Sequence, residues 1–263
     1  MENHRFIFVC GLHRSGTSIL FKSLRDHPDI SGFSNTLSPE DEGMHLQTVY
    51  KPSGHYGGAG KFGFHPEAHL TELSPLVTDG NRQKLFSEWS PYWDLGKPYL
   101  LEKSPPNLIR TRFLQAMFPD SYFIVLMRHP LAVSYATRNW YRQFGVYWRS
   151  LPSIFEHWLV CHEIFLQDRN SLKNSIIVKY EQFVSNPTLH ANTIYQFLGL
   201  HSHPNTQKVL SGVNAKYFSK WQKDHLGFLS RFVARKMVNR FESRLSSFGY
   251  SLIDLERADA VQV

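Results

Sequence analysis

Phe6-Ile-Phe-Val-Cys-Gly-Leu-His-Arg-Ser-Gly-Thr-Ser18 is the stretch whose reading decides the fold. A short β-rich run, Phe6–Val9, leads to Gly11, and Ile19, Leu20 and Leu24 then recur at helical spacing as far as Asp26-His27-Pro28. The order strand, glycine loop, helix brings backbone N–H groups together at a helix start, where the helix dipole attracts an anion. Gly11 and Gly16 let the backbone approach that anion with no Cβ in the way. The plainer reading is a helix start capped by Ser15 or Thr17. The strand before the loop, the two glycines and Arg14 together favour an anion cradle.

Working outward, Tyr99–Glu102 and Ser121–Met127 read as strands, the second a continuous apolar run suited to burial on both faces of a parallel sheet. Ser175–Tyr180 reads as a fourth strand. Gln83–Trp93, Leu108–Phe118, Leu131–Trp140, Ser153–Asp168 and a segment from Asn186 through Phe197, closed by Gly199, read as helices, as does Phe228–Phe248. Strands alternating with helices predict an α/β fold in three layers with a central, mostly parallel sheet, like that of P-loop NTPases. The chain reads as a single domain over residues 1–263. It has an irregular substrate-side excursion at about 31–82, rich in Gly, Pro, His and acidic residues, and a helical, basic C-terminal part at about 205–263.

The 29 lysines and arginines exceed the 22 aspartates and glutamates by 7, a balance that favours a polyanionic partner such as a nucleotide, a nucleic acid, a sulfated sugar or an acidic lipid. No apolar run approaches the roughly 20 residues of a membrane helix, the start carries no apolar leader, and Cys10 and Cys161 sit inside apolar runs. A cytoplasmic location is expected. His45, His55, His65 and His69 gather in the excursion, but Pro66 and the lack of a His-Glu-x-x-His pattern argue against zinc, so no metal is expected.

Against the triphosphate-binding pattern G-x-x-x-x-G-K-[ST], residues 11–18 keep both glycines and Ser18 but place Thr17 where the lysine belongs. The run Ser121–Met127 is followed by Arg128 rather than by the aspartate that would help to hold magnesium. A donor gripped by cationic side chains and backbone amides, without metal, fits better than ATP with magnesium.

Gly11–Leu20, with its core Arg14-Ser15-Gly16-Thr17, resembles the 5'-phosphosulfate loop of sulfotransferases that use 3'-phosphoadenosine 5'-phosphosulfate (PAPS). Three further segments resemble that family in the same order: Glu102-Lys-Ser-Pro-Pro, Phe123–Tyr135, and Val178-Lys-Tyr-Glu-Gln-Phe. The first is closest in style to the sugar and tyrosine sulfotransferases. The resemblance implies metal-independent, in-line transfer of a sulfuryl group from PAPS to a hydroxyl or amine. The acceptor would be a small molecule, a glycan or a peptide, and no nucleic acid partner is implied.

The same resemblance assigns Arg14, Ser15, Gly16, Thr17 and Ser18 to the 5'-phosphosulfate and Arg128 to the 3'-phosphate. Ala136 stands where the family's partner serine falls, so Ser134, or else Thr137, takes that role. The catalytic base falls in Glu40–His45, either Glu42 or His45. Lys103 would neutralise the moving group, with Glu102 holding it. Lys220, Trp221 and Lys223 would close over the nucleotide. The alternatives are a P-loop kinase that has lost its lysine and an inactive protein that binds nucleotide or sulfated glycan.

Overall fold

The computed structural model describes residues 3–224 and 227–261. Met1, Glu2, His225, Leu226, Gln262 and Val263, at the ends of the expected domain and inside its C-terminal part, lie outside the described residues. The first element is strand β1 (Arg5–Cys10), whose side chains are buried after Arg5 because the strand has neighbours on both edges and layers on both faces. Gly16, in the left-handed region at φ 96°, turns the chain into helix α1 (Thr17–Arg25).

Strand β2 (Ile30–Gly32) follows, a short edge strand in a stretch read as irregular from residue 31. Three residues carry too little pattern to be seen in sequence; pairing with the next strand makes them a strand. From there to residue 78 the excursion is a chain of short 3-10 turns. Helix α2 (Asp79–Trp89) starts earlier than Gln83 because Thr78 Oγ1 accepts the Asn81 N–H at 3.1 Å and caps it. Strand β3 (Tyr99–Lys103), helix α3 (Thr111–Met117) and strand β4 (Tyr122–Met127) come next. Helices α4 (Pro130–Gln143) and α5 (Leu151–Arg169) precede strand β5 (Ser175–Lys179).

Helix α6 (Tyr180–Ser185) leaves β5 directly, and α7 (Pro187–Leu198) runs from an Asn186 cap to Gly199 at φ 75°. Helices α8 (Ala215–Asp224) and α9 (Phe228–Ser246) follow. The C-terminal part is therefore only partly helical. Gly249 at φ 73° ends the α9 region, and Ser251 Oγ accepts the N–H groups of Ile253 and Asp254, closing a turn instead of a further helix.

The five strands form one parallel sheet in the order β2-β3-β1-β4-β5. β1 holds the middle, with β4 beside it. The chain moves from β1 outward to β2, returns through β3, and then crosses to β4. A crevice therefore opens beyond the carboxyl end of β1, where the connections part to opposite sides, the place where open α/β sheets bind ligands. On one face the core is aromatic: Phe8, Phe33, Trp89, Trp93 and Phe118 pack edge-on and stacked at centroid distances of 4.8–6.3 Å.

Candidate active site

The loop after β1 is shaped by backbone constraints. A Cβ on Gly11 would lie 2.7 Å from Leu126 O, and one on Gly16 would lie 2.6 Å from the Tyr180 ring. Arg14 takes the left-handed region at φ 68° with its side chain exposed, and its carbonyl accepts Arg128 Nη1 at 2.9 Å. Ser15 turns inward: its N–H and its hydroxyl both donate to Leu12 O, at 3.1 and 2.6 Å. These two bonds brace the loop on which the sequence reading puts the phosphosulfate. Gly16 caps α1 with no side-chain hydrogen bond, so the first-turn N–H groups of Thr17 and Ser18 have no intrahelical acceptor and present a partial positive charge.

The end of β3 grips the excursion. Lys103 Nζ donates to Glu42 Oε1 at 3.0 Å and to Glu40 O at 2.9 Å, with its side chain 1% exposed. Glu40 Oε2 in turn accepts the Ser18 hydroxyl at 3.0 Å, which ties the acidic turn to the start of α1. His45 Nε2 stands 3.9 Å from Glu42 Oε2. Four sequence-predicted residues, Ser18, Glu42, His45 and Lys103, are thus brought together.

Glu102 does not hold Lys103, contrary to expectation, because adjacent strand residues point to opposite faces. Its Oε1 accepts the Gly43 N–H at 3.1 Å and the Ser104 hydroxyl at 2.5 Å, its Oε2 accepts Asn107 Nδ2 at 2.5 Å, and Ser104 Oγ accepts the Met44 N–H at 2.9 Å. A Cβ on Gly43 would collide with this carboxylate at 2.5 Å.

Burial sets the protonation of these groups. It raises the Glu42 carboxyl above its usual 4.5, opposed by Lys103, and pushes Glu102 up to about 7. Burial, helped by Lys103, lowers His45 below its usual 6.5. His13, on the loop, is driven down to about 3 by burial and then by Lys103; its Nδ1 has no partner, and its ring meets Phe62 edge-on at 5.9 Å.

At the end of β4, Arg128 is 6% exposed. Its Nε donates to Asn214 Oδ1 at 2.8 Å, its guanidinium lies 4.2 Å from the Tyr180 ring centroid and 5.8 Å from that of Tyr217, and its Nη2 is buried with no partner. Asn214 Nδ2 donates to Glu181 Oε1 at 2.7 Å. The same oxygen accepts the His129 N–H at 2.9 Å, while Glu181 Oε2 accepts the Tyr250 hydroxyl at 2.9 Å. Sequence reading missed Asn214, Tyr217, Glu181 and Tyr250 as supports of Arg128; the only signal was Glu181 within the Val178–Phe183 segment.

Ser134 is fully buried on α4 and its Oγ is also without a partner. Thr137 borders a small cavity with His13, Val133 and His157. Trp221 is buried, and Tyr217, also on α8, places its ring centroid 5.8 Å from the Arg128 guanidinium. The four excursion histidines do not converge. His69 bonds Asp168 at 2.8 Å, and His55 and His65 flank Tyr56. Among the described residues no three His, Cys, Asp or Glu side chains form a metal-holding group.

A P-loop-like α/β sheet with a lysine-free cradle is the class that fold and site define. The sequence profile described as the sulfotransferase family matches residues 6–204, and the chain belongs to that family. The fold is similar to the sulfotransferase of Alicyclobacillus acidocaldarius (14% identity, 84% of this chain and 92% of that one, TM-score 0.50). It is also similar to the sulfotransferase domain of the curacin biosynthetic pathway (17%, 89% and 97%, 0.51). A third likeness is to a sulfotransferase of Mycobacterium tuberculosis H37Rv (17%, 81% and 70%, 0.51). No curated protein sequence matches. No helix among the described residues is long and apolar enough to cross a membrane.

Proposed function

We propose that this chain transfers a sulfuryl group from PAPS to a hydroxyl or amine acceptor, in line and without metal. The observation that carries the reading is the set of groups at the carboxyl ends of three adjacent strands. β1 offers the uncapped first turn of α1, β3 offers Lys103 paired with Glu42, and β4 offers Arg128 with an orphaned Nη2 not far along the chain from the orphaned Ser134 Oγ. Buried polar atoms without partners are costly unless a ligand completes them. A guanidinium nitrogen and a hydroxyl are the donors a phosphate monoester accepts. The two glycines leave room for a second anionic group over the α1 amides.

When bound, PAPS supplies an activated sulfuryl group on a phosphate leaving group. Glu42 would take the acceptor proton as the acceptor oxygen or nitrogen bonds to sulfur and the bond from sulfur to the bridging phosphate oxygen breaks. Its pKa, raised by burial, makes it a stronger base than a solvated carboxylate, and Lys103 keeps it ionised. Lys103 and Arg14 offset the negative charge that collects on the sulfuryl and bridging oxygens, and the N–H groups of Thr17 and Ser18 hold the leaving phosphate. His45, kept neutral by its lowered pKa, is the second candidate base.

The test is binding of 3'-phosphoadenosine 5'-phosphate (PAP) to the purified chain, followed by calorimetry and thermal unfolding. The reading expects saturable binding and a raised Tm without magnesium, with binding weakened about tenfold or more and the rise in Tm reduced in Arg128→Ala. No protection by this ligand, or protection of equal strength in Arg128→Ala, overturns it. ATP binding that requires magnesium points to the kinase reading.

A further inference from the structure

One end of the molecule combines exposed aromatic rings with charge of a single sign. At the close of α4 and in the segment to α5, Trp140 is 39% exposed, Phe144 68%, Tyr147 69% and Trp148 74%. Trp140 packs edge-on against Tyr141 and Phe144 at 4.9 and 5.2 Å. Arg149 donates to Gly57 O at 2.6 Å and to the Tyr141 hydroxyl at 3.2 Å, fixing the base of the segment while its rings face outward.

Helix α9 brings a further ring to the same end. It runs in the direction of α5: Phe241 stacks on Phe155 at 4.9 Å, and Phe248, just past the end of α9, meets Trp158 edge-on at 5.2 Å. Phe232 precedes Phe241 by about 13 Å of helix, whereas α5 begins only about 6 Å before Phe155. Phe232, 60% exposed, and Val233, 48% exposed, therefore stand beyond the start of α5.

The charge is one-sided. Residues 138–155 contain three arginines and no carboxylate, and residues 228–240 contain four lysines and arginines and no carboxylate, Arg240 being paired with Glu156 at 2.7 Å. Arg142, Arg235 and Lys236 are exposed, and Lys236 lies 4.4 Å from the Phe232 ring centroid.

We propose that this end, formed by the close of α4, residues 144–149 and the first half of α9, is a docking surface for an anionic lipid bilayer. Cations meet the acidic headgroups, each worth about 1 kcal/mol near such a surface. Phe144, Trp148 and Phe232 enter the headgroup and acyl boundary, where amphipathic rings gather. A soluble polyanion engages the cations but gives the phenylalanines no apolar medium. A second copy of the chain brings the same positive field and is repelled. The inference is independent of the proposed reaction.

The test is co-sedimentation of the full chain with vesicles of phosphatidylcholine alone and of phosphatidylcholine with phosphatidylserine. Binding is expected only with phosphatidylserine, weakening as salt rises. The double substitution Phe144→Ala/Trp148→Ala and the triple substitution Arg142→Glu/Arg235→Glu/Lys236→Glu are each expected to weaken it about tenfold or more, with thermal unfolding unchanged because all five side chains are exposed. No binding to phosphatidylserine vesicles overturns the proposal, as does binding indifferent to either variant. Heparin binding without vesicle binding assigns the face to a soluble polyanion and also overturns it. Dimerisation abolished by the aromatic substitutions, without vesicle binding, assigns it to a second copy and does the same.

Discussion

Replacing Lys103 by methionine keeps most of the side-chain volume and removes the cation that faces Glu42 Oε1 at 3.0 Å and Glu40 O at 2.9 Å. Both charged side chains are at most 10% exposed, so Glu42 is left as a buried carboxylate without its counterion. Breaking a buried pair from one side costs about 3–5 kcal/mol. For a chain of this size each kcal/mol moves Tm by about 2–4 °C, giving a loss on the order of 10 °C near neutral pH. The pH dependence gives the reasoning its sign. Burial already raises the folded-state pKa of Glu42 above 4.5, and Lys103 opposes that rise. Without Lys103 the folded pKa climbs further above the unfolded value. A carboxyl of this kind is best tolerated below its unfolded pKa, and stability falls as pH rises through its folded pKa. Lys103→Met is therefore expected to lose little stability at acidic pH and much more at pH 8, as read by denaturant unfolding across that range. The double variant Glu42→Gln/Lys103→Met, with no charge left to bury, is expected to recover most of the loss at pH 8. An equal loss at both pH values, or a double variant no more stable than Lys103→Met, refutes the claim that Lys103 serves to hold a buried Glu42 carboxylate.

Arg128→Ala is expected to weaken PAP binding about tenfold to a hundredfold, since a bond to a charged group is lost; calorimetry reads it. Ser134→Ala is expected to act in opposite directions, raising Tm slightly because a buried unpartnered hydroxyl is removed and weakening the same ligand several-fold. The rate of sulfuryl transfer is expected to fall as pH drops through the raised pKa of Glu42, and Glu42→Gln should lower the rate about a hundredfold or more and remove that limb. A limb that persists in Glu42→Gln assigns the base to His45. Gly16→Ala forces a Cβ to 2.6 Å from Tyr180 at φ 96°, and a loss of at least about 1 kcal/mol together with loss of nucleotide binding is expected in unfolding and binding assays.

The glycine loop between β1 and α1, and β4, were legible because each is a continuous local pattern: a strand, two glycines and a helix in one case, an unbroken apolar run in the other. β2 was not, since three residues become a strand only through pairing with β3. Within the site, residue types were readable and pairings were not. Glu102 and Lys103 are neighbours in sequence, yet the pleat sends one beneath Gly43 and Met44 and the other toward Glu42. Which of the two faces the crevice depends on strand register, which no local signal encodes. Asn214, Glu181 and Tyr250 escaped for a related reason. Each is an ordinary polar residue at a loop or helix start, and its role exists only because separations of 33–86 residues close around Arg128.

On the proposed reading, the way the excursion is held bears on how the acceptor is chosen. Its ties to the rest of the fold run largely through its own backbone. Arg110 donates to the carbonyls of Ala68 and Lys51, Arg149 to that of Gly57, Trp89 to that of Gly43 and Lys103 to that of Glu40, while the N–H groups of Gly43, Met44 and Gly63 donate to Glu102, Ser104 and His157. Most of these partners belong to the helices, strands and turns of the sheet scaffold, and all but Arg149 are fully or almost fully buried. A segment ordered by outside groups acting on its main chain does not depend on its own exposed side chains for its course. His55, Phe64 and His65 are exposed there, and exchanging them alters what the segment offers to an acceptor without disturbing Glu42 or the Lys103 pair. On the proposed reading, the sheet scaffold thereby holds the Lys103–Glu42 pair and the loop after β1, while the excursion's exposed side chains set the shape and polarity of the acceptor side.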